Sequence, residues 1–367
     1  MAIIVYYIHP KRDRVKILVI ECFRHLYSKD LLNLRYESIK MDSLFSYKDF
    51  AEASYDADDH RPTCVEICAG AGGQALGLEQ AGFRHIALVE IEKEYCTTLL
   101  GNRPFWNVIS EDVHSFSGAP YAGADLFAGG VPCPPFSVAG KQLGENDERD
   151  LFPQAIRLIS EINPKAILLE NVRGIFDKVF DDYRERIKNE IKDLGYRVYW
   201  ELLNASDYGV PQLRPRAILV AIRNDILGDF SFPSPCDKKI SVGEAICDLL
   251  GKNGWKQCEE WKESANIVAP TIVGGSKKHG GPDLGPTRAR NAWAAIGIDG
   301  KGIADDAPSS NFEGNPRLTT RMVARIQGFP DDWGFKGGKT LVYRQIGNAF
   351  PPPVAKAVGE KIIECLS

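Results

Sequence analysis

The run Thr63-Cys-Val-Glu-Ile-Cys68, then Ala69-Gly-Ala-Gly-Gly73, then Gln74-Ala-Leu-Gly-Leu-Glu-Gln-Ala81, decides how this chain folds. The first piece is short and apolar, as a buried strand is. The glycines make a turn, and the third piece has helical spacing and stops at Gly82. A strand, a glycine turn and a helix in succession let a ligand approach the backbone and meet a helix N-terminus. Taken alone the unit is shared by many nucleotide binders, dehydrogenases among them.

The alternation continues outward from it. His85-Ile-Ala-Leu-Val-Glu90 reads as the next strand and Lys93 to Leu100 as a helix. Val108-Ile-Ser-Glu-Asp112 reads as a third strand and Ala124-Asp-Leu-Phe127 as a fourth. Phe152 to Ile162 is helical, Lys165 to Glu170 is a fifth strand, and Asp181 to Leu194 is helical again. Two further strands, from Tyr196 and from Arg216, close the series. The alternation of strand and helix predicts an α/β fold with a doubly wound, mostly parallel sheet.

The remaining organisation is less regular. Residues 1–60 are an N-terminal extension of uncertain role, in which Val15 to Leu26 suits strand or helix and Met41 could be a second start. Residues 61–235 form the α/β domain. Residues 236–318 are rich in glycine, proline and lone charges, and predict a smaller, loop-rich domain. Residues 319–367 regain helical periodicity, in Thr319 to Gln327 and Pro353 to Cys365, and are expected to fold back onto the first domain.

Bulk composition bounds the function. The 367 residues carry a net charge of −4, so any nucleic-acid reading must rest on motifs and a local basic cleft. No apolar run is long enough to span a bilayer and no signal peptide is evident, so no membrane is expected. Nine cysteines at irregular spacings suit reduced thiols in a cytoplasm better than a disulfide framework. His60, Cys64 and Cys68 fall four apart, but no metal site is expected.

Five segments carry chemistry. The first is the glycine turn with the acids that end successive strands. Glu90 stands where a carboxylate commonly takes ribose hydroxyls, and Asp112 where one can accept from an adenine amino group. The second is Asp125-Leu-Phe-Ala-Gly-Gly-Val-Pro-Cys133, which puts a cysteine on a loop at the carboxyl end of a strand. Cys133 there is either a nucleophile or a buried small hydrophobe. The third is Glu170-Asn-Val172, a carboxylate leaving an apolar strand. Desolvation there would raise its pKa and suit it to a ring nitrogen, unless it is a structural acid. The fourth is Gln212-Leu-Arg-Pro-Arg216, whose two arginines share a face of an extended segment. They could grip a base carbonyl and a phosphate, or simply be solvated. The fifth is Arg344-Gln-Ile-Gly-Asn-Ala349, read as a turn exposing the Asn348 amide.

In this order the five segments resemble the cytosine-C5 DNA methyltransferase family of bacterial restriction–modification systems, over about residues 63–235 and 317–360. The resemblance implies a Rossmann-like catalytic domain that binds S-adenosyl-L-methionine, a separate target-recognition domain, and a cytosine flipped out of duplex DNA. It implies that Cys133 attacks C6, that Glu170 stabilises charge at N3, that Asn171 shapes the pocket, and that Arg216, supported by Arg214, holds the base and its phosphate. It assigns the cofactor to Glu66, Ile67, Cys68, Gly70, Gly73, Glu90, Ile91, Asp112, Val113, Pro132, Asn348 and Ala349. Cys68 departs from the aromatic usual in the family, and Pro-Cys-Pro-Pro-Phe-Ser137 from the commoner Pro-Cys-Gln-Gly-Phe-Ser. Residues 137–150 would be a lid. DNA contacts are expected from Ser137 and Gln212, and from Thr287, Arg288 and Arg290, which either read guanine or hold phosphates. A monomer is expected, and a restriction–modification role implies a cognate endonuclease acting separately. A tRNA cytosine-C5 methyltransferase is the alternative reading.

Overall fold

The computed structural model describes the backbone of residues 2–8 and 15–21, and residues 59–132, 150–275 and 281–367 in full. Cys133 and Ser137 therefore lie outside the described residues, as does nearly all of the expected lid. The chain divides into two units, Met1–Ala57 and Asp58–Ser367. In the first, β1 (Ala2–Ile8) and β2 (Val15–Glu21) pair antiparallel, with Ala2 opposite Glu21 and Ile8 opposite Val15. Val15–Glu21 is thus a strand, which resolves the open reading of that segment.

The second unit is built on seven strands. These are β3 (Thr63–Ile67), β4 (Arg84–Val89), β5 (Val108–Ile109), β6 (Leu126–Gly130), β7 (Ala166–Val172), β8 (Tyr196–Asn204) and β9 (Pro215–Arg223). Their order is β5-β4-β3-β6-β7-β9-β8. The pairs from β5 to β7 are parallel, and β9 runs antiparallel to both β7 and β8. The sheet is therefore α/β and mostly parallel, as the alternation predicts. Strand order reverses between β3 and β6, and in open sheets of this kind ligands bind outside the carboxyl ends of the strands at such a point.

Successive side chains of the sheet go to opposite faces, and both faces are buried. Val65, Ile67, Phe127, Ile167 and Leu169 join one core with α3 (Phe152–Ile162) and α4 (Asp181–Asp193). Cys64, Leu126, Ala128, Ala166 and Leu168 join the other with α1 (Gly73–Ala81) and α10 (Pro352–Leu366). The C-terminal helix thus packs beside the first helix of the sheet.

Glycine makes that packing possible. A Cβ on Gly73 would lie 2.2 Å from the Phe350 carbonyl oxygen, and one on Gly77 would lie 2.3 Å from that of Pro352. Both collisions are with backbone, which cannot swing aside. Gly77→Ala is accordingly expected to destabilise the chain by about 1–3 kcal/mol, read as a lower urea midpoint with an unchanged slope.

Residues 236–318 hold three short helices among longer irregular stretches, and two more helices follow in 319–349, the first where helical periodicity is expected. These are α5 (Val242–Leu250), α6 (Cys258–Ser264), α7 (Thr287–Ala294), α8 (Thr320–Ile326) and α9 (Lys339–Asn348). Trp255, Trp261, Trp293 and Trp333 are buried among them, in a core that also takes in Ala75, Leu76, Leu88 and Leu99 of the α/β layers. No break in packing falls at residue 236. Two shorter corrections follow. The third strand ends at Ile109, so Asp112 stands on a turn, and Arg344 to Asn348 is the end of helix α9.

Candidate active site

A cleft of about 640 Å³ opens at the carboxyl ends of β3, β4, β6 and β7, around the point where strand order reverses. Eleven of the twelve expected cofactor residues line it: Glu66, Cys68, Gly70, Gly73, Glu90, Ile91, Asp112, Val113, Pro132, Asn348 and Ala349. Ile67 does not. It is fully buried in the core on the α3–α4 side of the sheet, and a Cβ on Gly129 would strike it at 2.7 Å. Its side chain packs in the core and does not line the cleft.

The floor of the cleft is the turn after β3. Cys68, Gly70 and Gly72 all have positive φ, at 52°, 56° and 85°. For cysteine this is an uncommon backbone, held by the tight return of the chain into α1. The turn is also tied across the sheet. The Gly70 amide donates to Glu90 Oε2 at 2.7 Å and the Glu92 amide to Glu90 Oε1 at 2.8 Å. Burial raises the Glu90 pKa, against the pull of the Glu92 and Gly70 amides. Burial first, then the carboxylates of Glu90, Glu66 and Asp112, drive the Cys68 thiol upward, so it stays protonated.

Glu66 follows the same pattern as Glu90, and Asp112 does not. Glu66 is buried and shares a 3.1 Å hydrogen bond with His85 Nε2; burial raises its pKa and the bond from His85 opposes that. Asp112 is half exposed at the rim. The His114 backbone and then its ring hold the Asp112 carboxyl below the usual range.

The second group of residues stands at the ends of β6 and β7. Glu170 is buried in the cleft wall, and Arg216 Nε lies 2.6 Å from its Oε1. Strand pairing sets this up, because β7 adjoins β9 with Val172 opposite Arg216. Asn171 is buried beside it. Its Nδ2 donates to the Val131 carbonyl at 2.9 Å, which fixes the chain just before Pro132 and Cys133. A glycine turn backed by two strand-end acids and a cation-paired glutamate next to the Pro-Cys segment thus share one cleft.

A profile of the C-5 cytosine-specific DNA methylases matches residues 63–364. The chain belongs to this family. It is 54% identical over 308 residues to the Type II methyltransferase M.NgoMIV of Neisseria gonorrhoeae, covering 83% of this chain and 98% of that protein. It is 53% identical over 309 residues to the Type II methyltransferase M.NaeI of Lentzea aerocolonigenes, covering 83% and 75%. A DNA modification methyltransferase encoded within an E. coli prophage shares the fold at a TM-score of 0.62 and 23% identity, over 83% of this chain and 99% of that one. The S. pombe Dnmt2 methyltransferase does so at 0.59 and 16%, over the same shares.

Not every residue expected at this methylase site is there. Arg214 is 1% exposed. It donates to the carbonyls of Ile272 at 2.9 Å, Gly347 at 2.6 Å and Ala349 at 3.1 Å. It is corrected from a catalytic partner of Arg216 to a structural clamp. Gln212 is fully buried: its amide donates to Gln327 Oε1 at 2.8 Å and accepts from the Ile272 backbone at 2.8 Å. It is corrected from a DNA contact to an internal tie. Both residues look alike in sequence to surface polar groups, and only the packing of 269–275 against them shows otherwise.

Thr287, Arg288 and Arg290 lie on α7 and not in a glycine loop; Thr287 and Arg288 are exposed, and Arg290 Nη2 donates to Thr287 Oγ1 at 3.3 Å. Gln74, Tyr95, His114, Leu151, Gln345 and Phe350 also line the cleft, and sequence reasoning did not select them. For Gln74 a signal was present, since it opens the helix after the glycine turn. His60 is exposed and Cys64 is buried in the sheet, so these two and Cys68 do not converge. Among the described residues no group of three or more His, Cys, Asp or Glu is arranged to hold a metal ion, and no helix is long and apolar enough to cross a membrane.

Proposed function

We propose that this member of the C-5 cytosine-specific DNA methylases modifies one cytosine within a specific duplex DNA sequence, using S-adenosyl-L-methionine, as the modification arm of a restriction–modification system. The observation that carries the reading is the Glu170–Arg216 pair in the same cleft as the glycine turn and Glu90. The residues present fit the cofactor. Buried Glu90 at one end suits the hydroxyls of a ribose, and the Gly70 backbone leaves room that a side chain would fill. When bound, the cofactor supplies an electrophilic methyl group on a sulfonium.

The chain's own residues supply the rest. The Cys133 thiolate adds to C6 of the flipped base, forming a C–S bond and raising electron density at C5. Glu170, oriented by Arg216, stabilises charge at N3. Asn171 holds the Val131 carbonyl and so anchors the approach of the nucleophile segment. After substitution at C5, loss of the C5 proton to water and breakage of the C6–S bond restore the ring. A monomer suits one cleft with its own nucleophile, and a cognate endonuclease would act separately.

The deciding experiment is transfer of labelled methyl from S-adenosyl-L-methionine to mixed-sequence duplex DNA and to tRNA. Label at C5 of cytosine in duplex DNA supports the reading, and sequencing the product gives the site. Label in tRNA alone would overturn it in favour of the tRNA alternative.

Two further outcomes are expected. Ionised Glu90 accepts the ribose hydroxyls, and its pKa lies above the ordinary glutamate value of 4.5. Binding then favours the deprotonated form, so affinity for S-adenosylhomocysteine falls as pH drops from neutral through a midpoint above 4.5. Glu90→Gln weakens binding and flattens that dependence in calorimetric titrations. On α7, Arg288→Ala relaxes sequence preference at one base pair, by about 1–3 kcal/mol of discrimination, if it reads a base. Uniformly weaker binding with unchanged preference would assign it to phosphate.

A further inference from the structure

Cys247, near the end of α5, and Cys258, at the start of α6, are each 7% exposed, and their Sγ atoms stand 2.8 Å apart. That is inside the contact distance of two unbonded sulfurs and within about 1 Å of a disulfide bond length. The turn between the helices sets this approach. Gly251–Asn253 is a single 3-10 turn, and Gly254 returns the chain at a φ of 78°, a backbone that glycine adopts freely. A Cβ on Gly251 would lie 3.2 Å from Cys258 Sγ, so the chain leaves that room to the sulfur. The backbones meet as closely as the side chains. Cys258 Sγ donates to the Cys247 carbonyl at 2.9 Å, and Cys247 Sγ lies 3.6 Å from the carbonyl of Cys258.

The pair is reachable and lies outside the methylase cleft, which neither cysteine lines. A separate pocket of about 520 Å³ opens over both, and its walls carry charges of either sign, Asp248 and Glu259 with Lys256 and Lys262. A zwitterionic peptide thiol or disulfide meets no single-sign barrier there. Burial first, then the adjoining Cys258 thiol and Glu259, raise the Cys247 thiol, so the pair rests as two thiols at neutral pH until an oxidant reaches it. Among the described residues no third His, Cys, Asp or Glu joins them in a group able to hold a metal ion, which separates this pair from a tetrahedral zinc site.

We propose that Cys247 and Cys258 are a modification site, a dithiol that closes reversibly to a disulfide by exchange with a low-molecular-weight disulfide of the glutathione type. The thiolate of one cysteine attacks a sulfur of the external disulfide, forming a mixed disulfide and releasing one glutathione thiolate, which takes up the proton. The thiolate of the other cysteine then attacks the protein sulfur of the mixed disulfide and releases the second glutathione as a thiol. Two protein thiols are oxidised to one disulfide, and one external disulfide is reduced to two thiols. The two cysteines are eleven residues apart, so closure fastens the end of α5 to the start of α6 and restricts the unfolded chain. The proposal does not rest on the methyl-transfer reading.

The test equilibrates the full chain with oxidised glutathione, blocks remaining thiols by alkylation and weighs the tryptic peptides. Lys252 and Lys256 lie between the two cysteines, so closure leaves two separate peptides joined. The joined pair is expected, lighter than the two free-thiol peptides by a pair of hydrogens and parted again by dithiothreitol. The oxidised chain should melt roughly 2–5 °C higher than the reduced one, and Cys258→Ala should show neither the joined peptides nor the rise. Full alkylation of both cysteines while exposed Cys236 carries glutathione would overturn the proposal, as would a glutathione adduct on either one without closure. A joined pair that melts no higher would overturn the fastening of α5 to α6 as a stabilising event.

Discussion

Cys133→Ser is expected to lower methyl transfer to duplex DNA by roughly 10³-fold or more while leaving S-adenosylhomocysteine affinity unchanged. A thiol provides some thiolate near neutral pH, and the thiolate is a strong carbon nucleophile; a serine hydroxyl provides essentially no alkoxide. The cofactor end of the cleft is formed by Gly70, Glu90 and Asn348, none of which this change alters. Duplex DNA carrying 5-fluorocytosine gives an independent readout. It has no C5 proton to lose, so wild type should accumulate as a covalent protein–DNA adduct and Cys133→Ser should form none. Glu170→Gln keeps the nucleophile and should show a smaller loss, roughly 10²-fold, from weaker stabilisation at N3. Full transfer by Cys133→Ser would remove the covalent route.

How much of this was legible depended on whether local pattern or remote packing fixed the residue. The strands and helices from Thr63 to Arg223 follow from apolar runs, glycine turns and helix stops, and Gly82 ends α1 with a positive φ of 115° as that stop requires. The glycine turn, Glu90, Asp112 and Glu170 were legible as local features that the parallel sheet collects at one edge, while most other cleft residues followed only from the family resemblance. Ile67 sits between Glu66 and Cys68, which line the cleft, while its own side chain faces the core. Residues 236–318 were read as loop-rich, and the helix that begins at the capping box Ser241-Val-Gly-Glu244 was passed over. The Glu244 amide donates to Ser241 Oγ at 3.1 Å and the Ser241 amide to Glu244 Oε2 at 3.0 Å. The short helices after it are held by buried tryptophans more than by periodicity, which is why pattern alone passed over them.

The two arginines of Gln-Leu-Arg-Pro-Arg mark where sequence runs out, and they separate by experiment. Arg214→Ala is expected to destabilise the chain by about 3–5 kcal/mol, because one planar guanidinium satisfies three carbonyls on two segments, Ile272 on one and Gly347 and Ala349 on the other. Burial first, then the neighbouring Arg216 charge, drives the Arg214 pKa down, and Glu170 opposes this. Arg214→Lys should recover little, since an ammonium on a flexible stem cannot reproduce the fork. Two of the three carbonyls belong to Gly347 and Ala349, flanking Asn348 at the cleft, so S-adenosylhomocysteine affinity should fall with stability. Arg216→Ala should do the reverse. It frees Glu170 Oε1 at the strand ends and leaves no comparable set of carbonyls unpaired, so methyl transfer should collapse with a much smaller change in the urea midpoint. An Arg214→Ala chain that unfolds like wild type but fails in catalysis would return Arg214 to the reacting surface. The burial of its side chain and the direction of its three hydrogen bonds argue for the clamp.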